Sequence, residues 1–474
     1  MLSDAITDLP TKTHVVYLIL SIVGIAWYII LWSIGLLGCI SARRRYRLRP
    51  RSPLATVSPS SAPGVSILRP LKGLDTNLYE NLESTFTQEY PNYEIILSVA
   101  EENDQALPVV RDLIAKYPRR DAKVVIGEEV VGVNPKVNNL IRPYRQAVHD
   151  ILWVLDSNIT VAPGTLGRSV DALVGPPSSS AVSPPSRRIA LVHHVPYAVA
   201  TEPALGARLE EAFLNTNHAK MYIAINTVAV DSCVVGKSNL YRRSDVDRVN
   251  GSLKAISPSI SADGSLDATD DRGLAAFGRF LAEDNMIAGA LWHELGLRHD
   301  LSCDVARNAI GKMSFADYVW RRVRWIRVRK HMVLGATLVE PFTESVVVGL
   351  ITATCLHYLF HVPRWLFLIV HFGAWLPVDL DVYESLAGHP VPESSKWAFI
   401  AAWFMRECLA LPIWTLGMVG SEVDWRGRTY RVLRNGEVER ADDRQRRSVS
   451  WLPWFGKGNQ EGHYERLDAA DNGQ

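Results

Sequence analysis

The sequence predicts an α/β protein: an open sheet of strands alternating with helices, flanked on both sides by transmembrane helices. Three observations predict it. Residues 14–40, "HVVYLILSIVGIAWYIILWSIGLLGCI", contain no Asp, Glu, Lys or Arg. From residue 64, β-rich runs alternate with runs of helical spacing. The C-terminal third then returns to long apolar stretches.

Composition narrows the class. The 474 residues suffice for one large domain or two ordinary ones. With 51 Lys+Arg against 50 Asp+Glu the formal net charge is +1, which argues against a nucleic-acid partner. A hydrophobic fraction of 47% is ordinary on average, but a polar middle lies between apolar ends. Cys39, Cys233, Cys303, Cys355 and Cys408 are far apart and form no CxxC pair. That spacing speaks against a disulfide framework or a zinc knuckle, and for a reducing compartment around the middle of the chain.

The first element is a membrane anchor over 1–41. A bilayer-spanning helix needs about 20 apolar residues. A cleaved signal peptide would have a shorter apolar core with positive charge before it. Here the charge follows, at Arg43, Arg44, Arg45, Arg47, Arg49 and Arg51. The positive-inside rule therefore puts what comes next in the cytosol. A basic, Pro/Ser-containing linker (42–63) leads to the central domain, 64–311.

Within that domain "GVSILRP" (64–70) is a strand, followed by a helix from Asn77. "NYEIILSV" (92–99) is a second strand, followed by "DQALPVVRDLIAKY" at helical spacing. "AKVVIG" (122–127) is a third, with a helix near 136–147, and "DILWVLD" (150–156) is a fourth. Such alternation implies an open parallel sheet. Ligands of these sheets sit outside the carboxyl ends of the strands, which singles out Arg69–Lys72, Glu101–Asp104, Gly132–Lys136 and Asp156–Asn158. Residues 175–186 (Pro/Ser-rich) and 257–271 (polar) read as surface loops.

After 311 a basic region, 312–343, leads to membrane segments over 344–420 and a charged tail, 421–474. Residues 345–362, 365–376 and 397–420 are the candidate spans. The second is too short to cross about 30 Å and is expected to be re-entrant or interfacial. Arg406 and Glu407 inside the third are costly in lipid and are expected to face protein. Arg426, Arg428, Arg431 and Arg434 follow the last span closely and favour a cytosolic tail.

Five groups have chemical potential. Asp156 and Asn158 in "WVLDSN" end an apolar strand with two oxygen ligands suited to Mg²⁺ or Mn²⁺. An Asx turn closing the strand is the competing reading. In "FLAEDNMIAGAL" (280–291), Glu283 or Asp284 suits a general base if burial raises its pKa. A solvated acidic pair in a helix's first turn is the alternative. "GVNPKVNNL" (132–140) places Gly132 in a turn and Lys136 at a helix start, where backbone N–H groups and one ammonium suit a phosphate; an ordinary capping turn is the alternative. His218 follows Glu210 and Glu211; a lone histidine is more often structural, so it joins the candidate catalytic set only through the other motifs. In "RRVRWIRVRK" (321–330), Arg321, Arg324 and Trp325 share one helical face. These arginines suit a diphosphate. A polybasic helix on anionic lipid is the alternative.

In order, Asp104, "DSN", "LAED" and R-x-x-R-W resemble the D, D, D, (Q/R)xxRW signature of inverting membrane glycosyltransferases. "SILRPLKGLD" (66–75), "VGVNPKVNNL" (131–140), "LVHHVPY" (191–197), "LEEAFLNTNHAKMYIAIN" (209–226), "CVVGKS" (233–238) and "WRGRTYRVL" (425–433) narrow the match. With these, the sequence resembles the ceramide glucosyltransferase (glucosylceramide synthase) family over most of 64–434. The resemblance implies a nucleotide-sugar-binding, GT-A-like sheet facing the cytosol of a Golgi or ER membrane. It implies UDP-glucose as donor, ceramide as acceptor and a divalent metal. Asp284 matches the family's base; Asp156, helped by Asn158, would hold the metal. Arg321, Arg324 and Trp325 would close over the diphosphate and acceptor. Pro70, Leu71, Lys72 and Glu101 would hold the uridine, with Asp104 the second matching acid of that stretch and Lys136 reaching ribose or phosphates. The stretch "AEENDQA" carries fewer Asp residues than is usual for the family. Competing expectations are a processive polysaccharide synthase, a dolichyl-phosphate sugar transferase, or a non-catalytic sphingolipid-binding protein that has lost its carboxylates; oligomerisation is left open.

Overall fold

A computed structural model describes residues 2–175, 188–254, 272–425, 428–433 and 436–441. The loops expected at 175–186 (beyond Gly175) and 257–271 lie outside the described residues, as do Arg426 and Arg434.

Helix α1 (Leu2–Tyr46) leads through two short 3-10 turns into β1 (Val65–Pro70), α2 (Leu78–Phe86), β2 (Tyr93–Val99), α3 (Ala106–Lys116), β3 (Ala122–Ile126), α4 (Pro135–Gln146) and β4 (Ile151–Leu155). These strands and helices match the sequence expectation. There follow β5 (Ile159–Thr160), α5 (Thr165–Val174), β6 (Ile189–Ala200), α6 (Leu205–Phe213), α7 (Ala219–Val228), β7 (Ser238–Arg242), α8 (Arg243–Val246), α9 (Glu283–His293) and β8 (Arg298–Ile310). The C-terminal part comprises α10 (Phe315–Met332), α11 (Leu334–Val339), α12 (Ser345–Phe360), α13 (Arg364–Ala387), α14 (Lys396–Met418) and strands β9 (Glu422–Trp425), β10 (Arg428–Val432) and β11 (Val438–Arg440).

The main sheet has the order β3-β2-β1-β4-β7-β6-β8-β5. The expected parallel sheet is corrected to a mixed one. β1 to β4 are mutually parallel, but β7 runs against β4 and β6, and β5 runs against β8. Helical crossovers join the first four strands, so they must be parallel. Later connections reverse the chain, and direction is decided by tertiary packing. The strands bury residues on both faces: every residue of β1 and of β4 is buried. Helices cover both faces, producing two hydrophobic clusters, one around Ile67, Leu82, Phe86 and Trp153, the other around Leu68, Val137, Leu152 and Phe277. Strand order reverses about β1, so the cleft beyond the ends of β1 and β4 is the topological switch point.

Among the described residues three helices are long and apolar enough to cross a membrane: Thr13–Tyr46, Arg364–Ala387 and Lys396–Met418; a fourth crossing is available if Leu334–Thr343 and Ser345–Phe360, bent by 67°, form one broken span. Side-chain contacts order these helices. Near its start α1 meets the end of α12, with Tyr17 and Tyr358 rings 5.9 Å apart. Further on, Trp27 donates to the Phe342 carbonyl at 2.9 Å, so α12 runs against α1. Tyr28 meets Phe367 (5.5 Å), Trp32 meets Trp375 (5.2 Å), and Arg43 pairs with Asp381 (2.6 Å), so α13 runs with α1. α14 begins beside the end of α13, where Phe399 and Tyr383 lie 5.1 Å apart. It ends beside α10, where Lys330 donates to the Met418 carbonyl at 3.0 Å.

These contacts correct the reading of 365–376. This run is the apolar part of α13, which continues through Pro377 to Ala387, about 36 Å at 1.5 Å per residue. Beyond Leu376 the helix carries Asp379 and Asp381. Those acids are neutralised in place: Asp379 accepts from Lys220 (2.6 Å) and Trp403 (2.8 Å), and Asp381 from Arg43 and Arg47. The expectation for Arg406 and Glu407 holds. Both are buried, and Arg406 pairs with Glu407 (2.7 Å) and with Glu344. α14 thus starts beside the end of α13 and ends beside α10.

The tail folds back on that domain. Val423, Tyr430, Val432 and Val438 form a small core with Val133, Leu281 and Val328. Phe280 bridges Glu437, which also pairs with Arg279 at 3.2 Å. Truncating the buried ring in Tyr430→Ala is expected to cost about 3 kcal/mol locally. Limited trypsin digestion would then cut within 421–441 much faster than in the parent while the central domain stays intact. A variant as resistant as the parent would mean that the three strands dock without this ring.

Candidate functional site

The site forms where β1, β4 and the segment before β7 meet α4 and α9. Asp156 follows β4, and its N–H donates to the Lys237 carbonyl (3.1 Å), which pins the two segments together. The Asp156 carboxylate sits between two ammoniums, Lys136 Nζ at 2.8 Å from Oδ1 and Lys237 Nζ at 3.0 Å from Oδ2. Despite the opposing effect of burial, these charges hold Asp156 well below the usual carboxylate range. Asn158 Oδ1 lies 3.3 Å from Lys237. Lys136 also reaches Glu283 at 2.9 Å and so bridges the strand-end acid to the "LAED" acids.

Asp284 is the adjacent acid. Burial first, and then the neighbouring Glu283, push its carboxyl up to about 7. Its side chain lies over Gly236: a Cβ there would meet Asp284 Oδ2 at 1.3 Å, so only glycine leaves room. Lys136, Gly236, Asn239, Tyr241, Glu283 and Asp284 line one pocket.

The local reasons for this assembly lie in "NPKVNN". Asn134 caps α4 by accepting from the Lys136 N–H (2.9 Å) and donates to Glu283 Oε2 (2.8 Å). Asn138 accepts from the N–H groups of Val131 and Gly132. Asn139 donates to the carbonyls of Leu71 and Ser98 at the ends of β1 and β2. Each asparagine ties the helix start to a different loop of the site. Gly132 is required for a backbone approach: a Cβ there would lie 2.4 Å from the Gly278 carbonyl.

At the end of β1, Pro70 and Leu71 are buried while Lys72 is exposed; Glu101 is exposed in the turn after β2. Asp104 Oδ1 accepts from the N–H groups of Gly73 (2.9 Å) and Ala106 (2.8 Å), joining the β1 loop to the start of α3. Buried Arg69 donates to the carbonyls of Ser157 and Ile159 and so shapes the turn that carries Asp156.

Arg321, Arg324 and Trp325 lie on α10, capped by Ser314 and Asp317. Arg321 is paired with buried Glu210 at 2.9 Å. Arg322 is sandwiched between Trp325 (3.8 Å) and Phe213 (4.1 Å). His218 stacks on Tyr222 (5.8 Å between centroids) and meets Trp325 edge-on (6.4 Å). Burial, and then Arg322, pull the His218 pKa down to about 3, so the ring is neutral; its Nδ1 has no hydrogen-bond partner among the described residues. The structure thus brings Asp156, Asn158, Lys136 and Asp284 together, and groups His218 with Arg321 and Trp325. The two groups connect through Tyr222, whose hydroxyl accepts from the Val235 N–H, next to Gly236. Val328, one turn after Arg324, packs against the same small core of Val423, Tyr430, Val432 and Val438 as Val133 and Leu281, so the tail strands join α10 to the loops that carry Lys136 and Asp284.

Sequence reasoning gave no role to Lys237, Gly236 or Glu210, and singled out Arg69 only as part of the strand end 69–72. A lone lysine or glycine before a strand carries no periodic signal, and only the fold brings these residues to the acids.

Among the described residues no three or more His, Cys, Asp or Glu side chains group as a metal site. One ionised carboxylate and one amide oxygen nonetheless fit a hard divalent ion that takes the rest of its shell from water and diphosphate oxygens.

The model of glycosyl transferase family 21 matches residues 25–269 and 265–438. The chain is 38% identical to a ceramide glucosyltransferase of Komagataella phaffii, over 87% of this chain and 90% of that one. It is 34% identical to a ceramide glucosyltransferase of Candida albicans, over 79% and 88%. Among solved structures it is similar to the mannosyltransferase PcManGT from Pyrobaculum calidifontis in complex with GDP-Man and Mn²⁺, at 17% identity and a TM-score of 0.43, covering 84% of this chain and 98% of that one.

Proposed function

The chain belongs to glycosyl transferase family 21, and from that premise we propose that it transfers glucose from UDP-glucose to the primary hydroxyl of ceramide with inversion, giving β-glucosylceramide. The observation that supports this reading best is the cluster at the switch point: an ionised acid, Asp156, and an acid of raised pKa, Asp284, are linked through Lys136 and Glu283.

Inversion needs one in-line displacement at the anomeric carbon. Asp284 accepts the ceramide hydroxyl proton as the bond to carbon forms. A pKa of about 7 suits this role, because the group is ionised often enough to act and basic enough to take the proton. A divalent metal on Asp156 and Asn158 would neutralise charge on the leaving diphosphate. Lys136 adds a fixed positive charge beside it, and Arg324 approaches from α10. Pro70, Leu71, Lys72 and Glu101 form the open end of the cleft for uridine, and Asp104 holds its loop. Trp325 and His218 wall the side towards the membrane helices, where a lipid acceptor arrives.

The enzyme is integral to a Golgi or ER membrane, its catalytic domain in the cytosol beside Arg43–Arg47. The broken span 334–360 leaves that side and α13 returns to it. α14 stays there, and the tail packs on the domain. Protease digestion of sealed microsomes is expected to remove a C-terminal epitope without detergent; an epitope protected until detergent is added would sink this topology. The function is tested by transfer of radiolabelled glucose from UDP-glucose to ceramide by the purified full-length chain. Label appearing in polymer or in a dolichyl lipid, and none in glucosylceramide, would overturn it.

A further inference from the structure

Both oxygens of Asp156 are occupied by ammoniums, at 2.8 Å from Lys136 and 3.0 Å from Lys237. A hard dication binds a carboxylate oxygen at about 2.1 Å. An ammonium hydrogen-bonded to the same oxygen would then face it with like charge at short range. One lysine must therefore yield when a metal takes Asp156.

The two lysines are not equivalent. Lys136 has a second acid partner, Glu283 at 2.9 Å, which is itself fixed by Asn134. It keeps an anion when Asp156 is taken. Among the described residues Lys237 has Asp156 and, as its other partner, the neutral Asn158 oxygen at 3.3 Å. Its backbone is held at both ends: its N–H donates to Val235 (3.0 Å), and its carbonyl accepts from Asp156 (3.1 Å). Only the side chain is free to move, and a lysine carries its charge on a flexible four-carbon stem.

We propose that Lys237 is a ligand of the donor's diphosphate: it rests on Asp156 while the donor site is empty and moves to a phosphate oxygen when metal and donor enter. The inference rests on the reading of this cleft as the donor site. The displaced ammonium needs a new anion, and the diphosphate is the one that arrives with the metal. Lysine is well suited to that change, since it binds phosphate as a point charge without a fixed fork geometry. In the empty site Lys237 thus stands in for part of the metal's charge, and in the loaded site it adds to it.

The role predicts effects of opposite sign in one variant, which a merely structural role does not. Full-length parent, Lys237→Met and Lys237→Arg would be compared in detergent micelles. Mn²⁺ binding without nucleotide would be read by electron paramagnetic resonance, and UDP binding at saturating Mn²⁺ by calorimetry. Lys237→Met is expected to bind Mn²⁺ alone several-fold more tightly, because a competitor has gone. It is expected to bind UDP about tenfold more weakly, the size of one charged hydrogen bond. Lys237→Arg keeps the charge and is expected to stay near the parent in UDP affinity. Mn²⁺ and UDP affinities that both fall in Lys237→Met, or both stay unchanged, overturn the proposal. A parent that fails to bind UDP at all would instead overturn the donor-site reading on which it stands.

Discussion

Replacing Asp284 by Asn is expected to lower glucosyl transfer by about 10²–10⁴-fold, the contribution of a positioned acid–base group. UDP affinity should stay within a few-fold of the parent, because the base acts in the transition state and not on bound donor. The carboxamide is nearly isosteric, so it still fits over Gly236, where no side chain is tolerated. A second readout follows from the raised pKa. The group must be ionised to accept a proton, so the parent's kcat/KM should fall as pH drops below about 7, and that limb should vanish in Asp284→Asn. The sign follows from the cause: burial and Glu283 disfavour the carboxylate, which moves the loss of activity to a higher pH than an exposed aspartate would give. A variant keeping half the parental rate, or an unchanged acid limb, would remove Asp284 from the role of base.

The second large effect is expected at Asp156. Asp156→Ala should abolish the increase in UDP affinity that Mn²⁺ gives the parent, and with it most turnover. The variant loses the one carboxylate among the two metal ligands proposed here, and Asn158 alone is a weak site for a hard cation. It also frees the ammoniums of Lys136 and Lys237 from their shared partner. Metal-independent UDP binding should therefore survive, carried by those two charges. This pairing of outcomes separates a lost ligand from a collapsed cleft, which would lose both. If added Mn²⁺ still raised UDP affinity in the variant as in the parent, another residue would be the principal ligand.

Much of this was legible in the chain, for identifiable reasons. Strands β1 to β4 and the helices between them are marked by period and by turn residues, and the crossover helices oblige those strands to be parallel. The anchor is legible because 14–40 lacks charge and is followed by arginines. "WVLDSN", "NPKVNN" and "LAED" were visible as motifs because strand ends and helix starts are where polar residues interrupt apolar patterns.

Tertiary structure decided the rest. The directions of β5 and β7 depend on where returning segments find a free sheet edge, which no local pattern encodes. The full length of α13 was hidden because Asp379 and Asp381 look unfit for a membrane helix until Lys220, Arg43 and Arg47 are seen to neutralise them. The pairing of the charges inside α14 was hidden as well: Arg406 meets Glu407 on its own helix and Glu344 ahead of α12, and the helix ends beside α10. Lys237 and Gly236 stand within "CVVGKS", but no local pattern gave either a part in the site. They matter because β7 pairs with β4, which brings the residues just before Ser238 to the carboxylate of Asp156 and beneath that of Asp284. Sequence alone determines which segments become strands, helices and motifs, because those depend on neighbours a few residues away. Which acid meets which base is decided only when distant segments pack, because Coulomb and steric terms act over a few ångströms in space and not along the chain.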